Sequence, residues 1–260
     1  MPAEKKLSIS VCIIAGNEAA RIRRTLESVA DWTSEIIVVL NDDVNDGTDK
    51  IAESFGAKIF REPWKGFGAQ KNSAADKAAQ PWLLNLDADE IVSPVLRDEI
   101  HRSLAQPGGH AAFCFPRSTA FCGRWIRHGD WYPDRQTRLW QRGKARWTAA
   151  QVHETLQVDG SVGKLHGELL HHMADSIDAQ IKKISAYSEA FSREAIARGR
   201  GASASDLFFR PAWRFVRGYF FRLGFLDGWQ GAYIAWMTAF YTATRYAKVR
   251  AAQENKTGPD

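Results

Sequence analysis

Apolar β-type runs alternating with helical segments constrain this chain most. Leu7 to Ile14, Glu35 to Leu40, Ala57 to Arg61 and Trp82 to Leu86 read as strands, and Glu18 to Ala30, Asp49 to Phe55 and Ala69 to Ala79 read as helices between them. A βαβα order with strands that are apolar on both faces requires a mostly parallel sheet covered by helices, so the first ~100 residues are expected to be doubly wound α/β. In such sheets ligands sit beyond the carboxyl ends of the strands, which directs attention to Gly16–Glu18, Asn41–Asp46 and Asp87–Glu90.

From His110 to Leu170 the expected strands are short, the clearest being Phe113–Pro116, Thr137–Trp140 and Thr155–Val158. Asp175 reads as the N-cap of a helix with Ile177, Ile181, Ile184 and Phe191 on one stripe, closed by Gly199, with Gly199–Ser205 as a linker. Residues 1–173 are therefore expected to form the main domain and 174–260 a helical extension. The extension is rich in aromatics, with 14 between Phe208 and Tyr246 and Asp227 as the single acid there. With Pro211 at a first turn, a helix through Leu223 would carry Arg210, Arg214 and Arg217 on one stripe and Trp213, Val216 and Phe220 on another. A cationic stripe beside an aromatic one suits a helix lying on an anionic membrane surface. The uncharged run Gly228–Ala243 is too short to span a bilayer and is expected to be interfacial or packed.

A net charge of +5 favours an anionic partner without choosing one. Three scattered cysteines fit neither a zinc ribbon nor a disulfide framework, and no secretory segment is read near Met1, so a reducing cytoplasm is expected.

The sharpest chemical feature is Leu84-Asn-Leu-Asp-Ala-Asp-Glu90, a strand that runs into acids. If the backbone stays extended, Asp87 and Asp89 project to the same side and can hold Mg²⁺ or Mn²⁺ against a diphosphate, since these ions take carboxylate and phosphate oxygens. Arg135 and Arg138 could neutralise such a diphosphate, or a phosphorylated acceptor, through guanidinium forks.

The run Trp64–Asn72, followed by Trp82–Glu90, resembles the GT-A glycosyltransferases of family 2, in particular the bacterial branch that adds glucose to the lipopolysaccharide inner core. Further matches are Ile14–Glu18, Asn45–Thr48, Trp131–Leu139, Val152–Glu154, His171–His172 and the Gly228–Tyr246 segment. The resemblance implies a GT-A-like sheet with an aromatic-rich helical extension. It also implies an inverting transfer from a UDP-sugar, such as UDP-glucose, to a lipid-linked saccharide such as a heptose. It places Asn17 and Glu18 at the uridine, Asn41 where the family usually has an aspartate near base or ribose, and Lys71 and Asn72 beside the donor. Asp87 and Arg138 are expected at the diphosphate, Asp87 and Asp89 at the metal. Glu154 matches the catalytic carboxylate, with Asp130 and Asp134 as rivals. The enzyme is expected at the inner face of the bacterial inner membrane, held through Arg210, Trp213, Arg214, Arg217 and Phe220, with no nucleic-acid partner. A nucleotidyltransferase, or a sugar transferase acting on another lipid-linked or polysaccharide acceptor, is the alternative.

Overall fold

A computed structural model describes residues 6–148, 154–172 and 177–257. The expected N-cap at Asp175 and the histidine at position 153 lie outside them. Contacts divide the chain into two compact units, one of residues 1–117 and 134–171, the other of residues 118–133 and 172–260. The second unit thus takes in a segment, 118–133, from within the expected main domain of residues 1–173.

In the first unit, β1 (Leu7–Ala15), β2 (Thr33–Asn41), β3 (Lys58–Glu62) and β4 (Trp82–Asp87) run parallel in the order β3-β2-β1-β4. The sheet continues antiparallel through β8 (Asp134–Gln141) and β6 (Ala112–Phe121). β10 (Leu169–His172) pairs antiparallel with the short β5 (Glu90–Val92). β1 is central, and Val11 and Ile13 are fully buried on one face while Cys12 is fully buried on the other, as a two-sided sheet requires. One face packs against Ile22 and Leu26 of α1 (Ile22–Glu27) and Leu96 and Ile100 of α4 (Pro94–Ala105). The other packs against Ala74 of α3 (Phe67–Asp76), together with Trp140 and Trp147. α2 (Thr48–Ser54) follows β2.

α1 is shorter than the expected Glu18–Ala30. The backbone amides of Glu18 and Ala19 donate to Thr48 Oγ1 and Asp46 Oδ2, both at 2.9 Å, so these residues are tied to the loop after β2 instead of starting a helix.

In the second unit, Thr119–Phe121 at the end of β6 pair with β7 (Arg124–Ile126). Three long helices follow the order of the chain. They are labelled α5 (Ile177–Ala197), α6 (Ala204–Val216) and α7 (Gly228–Thr257). The expected helix start at Pro211 is displaced by a capping box: Ser203 Oγ accepts the Asp206 amide and the Asp206 carboxylate accepts the Ser203 amide, so α6 begins at Ala204 and Pro211 lies inside it. Nor does the helix reach Leu223 unbroken. It passes into a π-turn over Arg217–Phe221, and Leu223 adopts φ 57°. A Cβ on Gly231 would sit 1.9 Å from the Gly224 carbonyl oxygen, so this contact at the start of α7 requires glycine. Asp227, buried there, accepts the backbone amides of Arg127 and His128 at 3.0 and 2.7 Å. Among the described residues no helix is long and apolar enough to cross a membrane.

Candidate active site

Acids and bases gather where β4 leaves the sheet. Asp87 is the last residue of the strand, and residues 88 and 89 form a turn before β5. The alternation of an extended strand therefore does not set the direction of Asp89, and the two aspartates have different partners. Asp87 Oδ2 accepts from Arg138 Nη2 at 2.7 Å, and Asp87 Oδ1 lies 3.3 Å from Lys71 Nζ. Asp89 Oδ2 lies 3.4 Å from His171 Nε2 and 3.8 Å from Arg21. Burial pushes the Asp87 carboxyl up, but Arg138, Lys71 and Arg117 outweigh it and hold the group well below the usual carboxylate range.

Arg138 is nearly inaccessible and donates to Asn85 Oδ1 at 3.0 Å and Glu90 Oε1 at 3.1 Å besides Asp87. Glu90, fully buried, also accepts from Arg117 at 3.1 Å and from the Asp87 backbone amide at 3.0 Å. Arg117 in turn holds Asp134 at 2.6 Å. Two arginines and one lysine thus fix the end of β4. Arg135, the other arginine expected near a diphosphate, donates instead to the Leu165 carbonyl at 3.2 Å.

Lys71 joins two regions that are distant in sequence. Its ammonium, on α3 and 5% exposed, donates to Glu154 Oε1 at 3.0 Å while facing Asp87, and it sits 4.7 Å from the Trp147 ring centroid. Close packing of α3 makes this possible. A Cβ on Gly68 would fall 2.0 Å from the Thr148 carbonyl oxygen, so only glycine lets the helix come this near. Asn72, expected beside the donor, has a different occupation: its amide donates to the Trp147 carbonyl and accepts the Trp147 amide, both at 2.9 Å, clamping β9 (Ala145–Trp147) against α3.

The loops after β1 and β2 form the other side of the sheet's carboxyl edge. Asn17 Oδ1 accepts the Asn45 amide at 3.3 Å, and Glu18 pairs with Arg21 at 2.7 Å. Burial is the main cause that raises the Glu18 carboxyl, with Arg21 opposing and Asp89 adding to the rise. Asn41 ends β2, with its side-chain amide 3.8 Å from where a Cβ on Gly16 would be.

Of the rival bases, Asp134 belongs to the Arg117 pair, whereas Asp130 lies in the second unit among Arg214, Arg217 and Arg222. No motif of the linear chain gives a role to Glu90, Arg117 or Trp147. Glu90 adjoins the Asp87–Asp89 run and its position was a usable signal; nothing local marks Trp147.

The parallel sheet with an acidic strand end at its carboxyl edge has the architecture of GT-A glycosyltransferases. A mannosyltransferase from Pyrobaculum calidifontis, crystallised with GDP-mannose and Mn²⁺, aligns over 97% of this chain and 89% of its own at a TM-score of 0.55 and 13% identity. S. aureus TarS with UDP-GlcNAc aligns over 96% and 92% at 0.51 and 12% identity. The chain belongs to glycosyl transferase family 2, whose model matches residues 10–156. It is 31% identical over 93% of its length to the lipopolysaccharide core biosynthesis glycosyltransferase LpsC of Rhizobium meliloti, covering 94% of that protein. An uncharacterized glycosyltransferase of Rickettsia prowazekii is 30% identical, with 93% of this chain and 86% of the relative aligned. Family membership decides for sugar transfer over nucleotidyl transfer.

Proposed function

We propose that this enzyme is an inverting transferase that moves a sugar, glucose by resemblance, from a UDP-sugar to a lipid-linked saccharide of the lipopolysaccharide inner core. The observation that carries the reading is the Lys71 ammonium between Asp87 and Glu154 at the carboxyl edge of the sheet. Similar folds hold UDP-GlcNAc and GDP-mannose, so the fold leaves the nucleobase open. The choice of uridine rests on Asn17, Glu18 and Asn41, where an amide can serve uracil as donor and acceptor.

In this mechanism Lys71 holds Glu154 through Oε1, and Oε2 takes the proton of the acceptor hydroxyl. The hydroxyl oxygen bonds to the anomeric carbon from the side opposite the diphosphate. The bond from that carbon to the diphosphate oxygen breaks, and UDP leaves with the electron pair. Lys71 and Arg138, already beside Asp87, supply positive charge where the diphosphate's negative charge grows.

The donor set at the strand end suits a divalent cation. Among the described residues no three His, Cys, Asp or Glu side chains cluster as a closed metal cage. Asp89 with His171 makes a two-ligand corner, and Mg²⁺ or Mn²⁺ ordinarily completes its shell with diphosphate oxygens and water. Asp89 and His171 would hold the ion, which would supply Lewis-acid stabilisation of the leaving diphosphate. Asp87, occupied by two cations, would act beside it. Asp89→Ala is expected to abolish the dependence of UDP-sugar binding on Mn²⁺ and to leave the melting temperature of the unliganded protein within a few degrees. Thermal shifts with and without Mn²⁺ across UDP-, GDP- and dTDP-sugars check both the metal and the nucleobase. A variant with wild-type Mn²⁺-linked stabilisation would remove Asp89 from the metal.

For membrane attachment, α6 and the π-turn that follows it offer exposed aromatics. Phe209, Trp213 and Phe220 are all more than half exposed, and Phe208 and Phe221 flank them in the open. The arginine stripe, expected to meet headgroups, is engaged elsewhere: Arg210 pairs with Asp206 and stacks on Tyr246, while Arg214 and Arg217 turn to Asp130 at 3.7 and 3.1 Å. Peripheral docking on the cytoplasmic leaflet is thus assigned mainly to apolar burial. Replacing Phe209, Trp213 and Phe220 by Ser is expected to weaken binding to anionic vesicles by about 10³-fold or more, since each buried aromatic contributes ~1.5–3 kcal/mol. The residual binding should depend on salt as in the wild type, and transfer to a delipidated acceptor should persist. Equal vesicle sedimentation of both proteins would refute this docking face.

A further inference from the structure

The second unit contains a cavity of about 360 Å³ that the transfer mechanism does not use. It lies among α5, α6, α7 and residues 130–131, and its size is within the ~300–1,000 Å³ typical of small-ligand sites. Its lining is strongly biased in charge. Among the described residues of the wall, Arg214, Arg217 and Arg245 stand with one carboxylate, Asp130, while Lys183 has a partner of its own.

Asp130 is nine-tenths buried and cannot balance these cations. Arg217, Arg222 and Arg214 approach it at 3.1, 3.6 and 3.7 Å, yet neither of its oxygens has a well-aligned hydrogen bond. Three guanidinium groups on one carboxylate leave donors unspent. Arg245 has no carboxylate within 4 Å among the described residues. It stacks on the rings of Phe191, Tyr246 and Tyr241 at 4.5, 5.0 and 5.3 Å, and its buried Nε lacks a hydrogen-bond partner. A buried guanidinium nitrogen with no acceptor is costly, and a phosphate, with three or four acceptor oxygens, could accept from Arg245 and from the partly exposed Arg214 and Arg217 at once. The remaining wall combines aromatic and neutral polar groups. Tyr187 and Tyr241 line the wall with rings on which the C–H face of a pyranose can lie, and the Thr238 and Thr242 hydroxyls already donate to carbonyls of α7.

We infer that this cavity binds a phosphate-bearing sugar, and that it recognises a phosphorylated residue of the saccharide acceptor apart from the hydroxyl that receives the new sugar. The assignment to the acceptor rests on the function proposed above; the recognition of a sugar phosphate rests on the cavity alone.

Titration calorimetry of the full chain with glucose 6-phosphate, in the presence of saturating UDP, tests it. Glucose 6-phosphate should bind saturably, glucose should not bind, and inorganic phosphate and glycerol 3-phosphate should bind at least ~10-fold more weakly. Arg245→Gln should weaken glucose 6-phosphate by ~10-fold or more through loss of a charge-assisted contact. Met237→Trp, which fills the cavity without changing its charge, should abolish binding, and both variants should bind UDP as the wild type does. The idea is overturned if glucose 6-phosphate fails to saturate or if its isotherm is unchanged in both variants. Equal affinity for glycerol 3-phosphate would also overturn it, by pointing to a lipid headgroup. Loss of UDP-sugar binding by the wild type would count against the proposed transferase reaction alone, because the glucose 6-phosphate isotherm is read independently.

Discussion

Glu154→Gln should bind UDP-sugar with wild-type affinity and lose transfer by about 10²-fold or more, because an amide of nearly the same shape cannot accept the acceptor's proton. The side-chain oxygen that faces Lys71 at 3.0 Å can still accept a hydrogen bond in the glutamine, so the packing of α3 against residue 154 is preserved. The loss should therefore appear in kcat, with the donor KM little changed. Single-turnover rates with excess enzyme separate the chemical step from product release. Normal turnover with weakened donor affinity would place Glu154 in binding and not in proton transfer. Lys71→Met offers a companion measurement, since it removes the charge shared with Asp87 and should lower both donor affinity and rate.

The largest effect on stability is expected from Arg138→Leu. Arg138 is 3% exposed and joins Asn85, Asp87 and Glu90, the last fully buried. Removing one partner of such a cluster leaves buried carboxylate charge uncompensated, which costs about 3–5 kcal/mol at neutral pH. The pH dependence has a definite sign. The Asp87 carboxyl is raised by burial and lowered more strongly by Arg138, Lys71 and Arg117, so its folded value lies below the unfolded one. The stability it contributes is present above the unfolded value of about 3.9 and is lost as pH falls from there through the folded value. The wild type should therefore exceed Arg138→Leu most at pH 6–8, and the gap should narrow below pH ~4. Urea denaturation of both proteins at neutral and acidic pH checks this. A gap under ~1 kcal/mol, or one that does not vary with pH, would show that the cluster contributes little.

Much of the framework could be read in the linear chain. The apolar runs of β1, β2 and β4 mark strands buried on both sides, because only such strands tolerate apolar residues at every position, and the parallel order follows from the helices between them. Asp87 at the mouth of the sheet was legible for the same reason, since a strand's end can be located from where its apolar run stops. The segments that went astray are those where a distant group intervenes. Thr48 and Asp46 capture the amides of residues 18 and 19 and shorten α1, and Ser203 with Asp206 starts α6 well ahead of Pro211.

The amino-acid sequence by itself determined the α/β alternation, the acidic strand end, and the aromatic surplus of the C-terminal helices, all of which are local periodicities or compositions. Only the tertiary structure decided which charges meet. Lys71 and Glu154, 83 residues apart, become partners because Gly68 lets α3 close on residue 148; Asn72 becomes a backbone clamp; and Arg214 and Arg217 turn from a presumed headgroup stripe toward Asp130. The physical reason is that a long charged side chain reaches several ångströms in any direction. Helical or strand period gives the direction in which it leaves the backbone, but the buried counter-charge that makes its desolvation tolerable is supplied by another element of the fold.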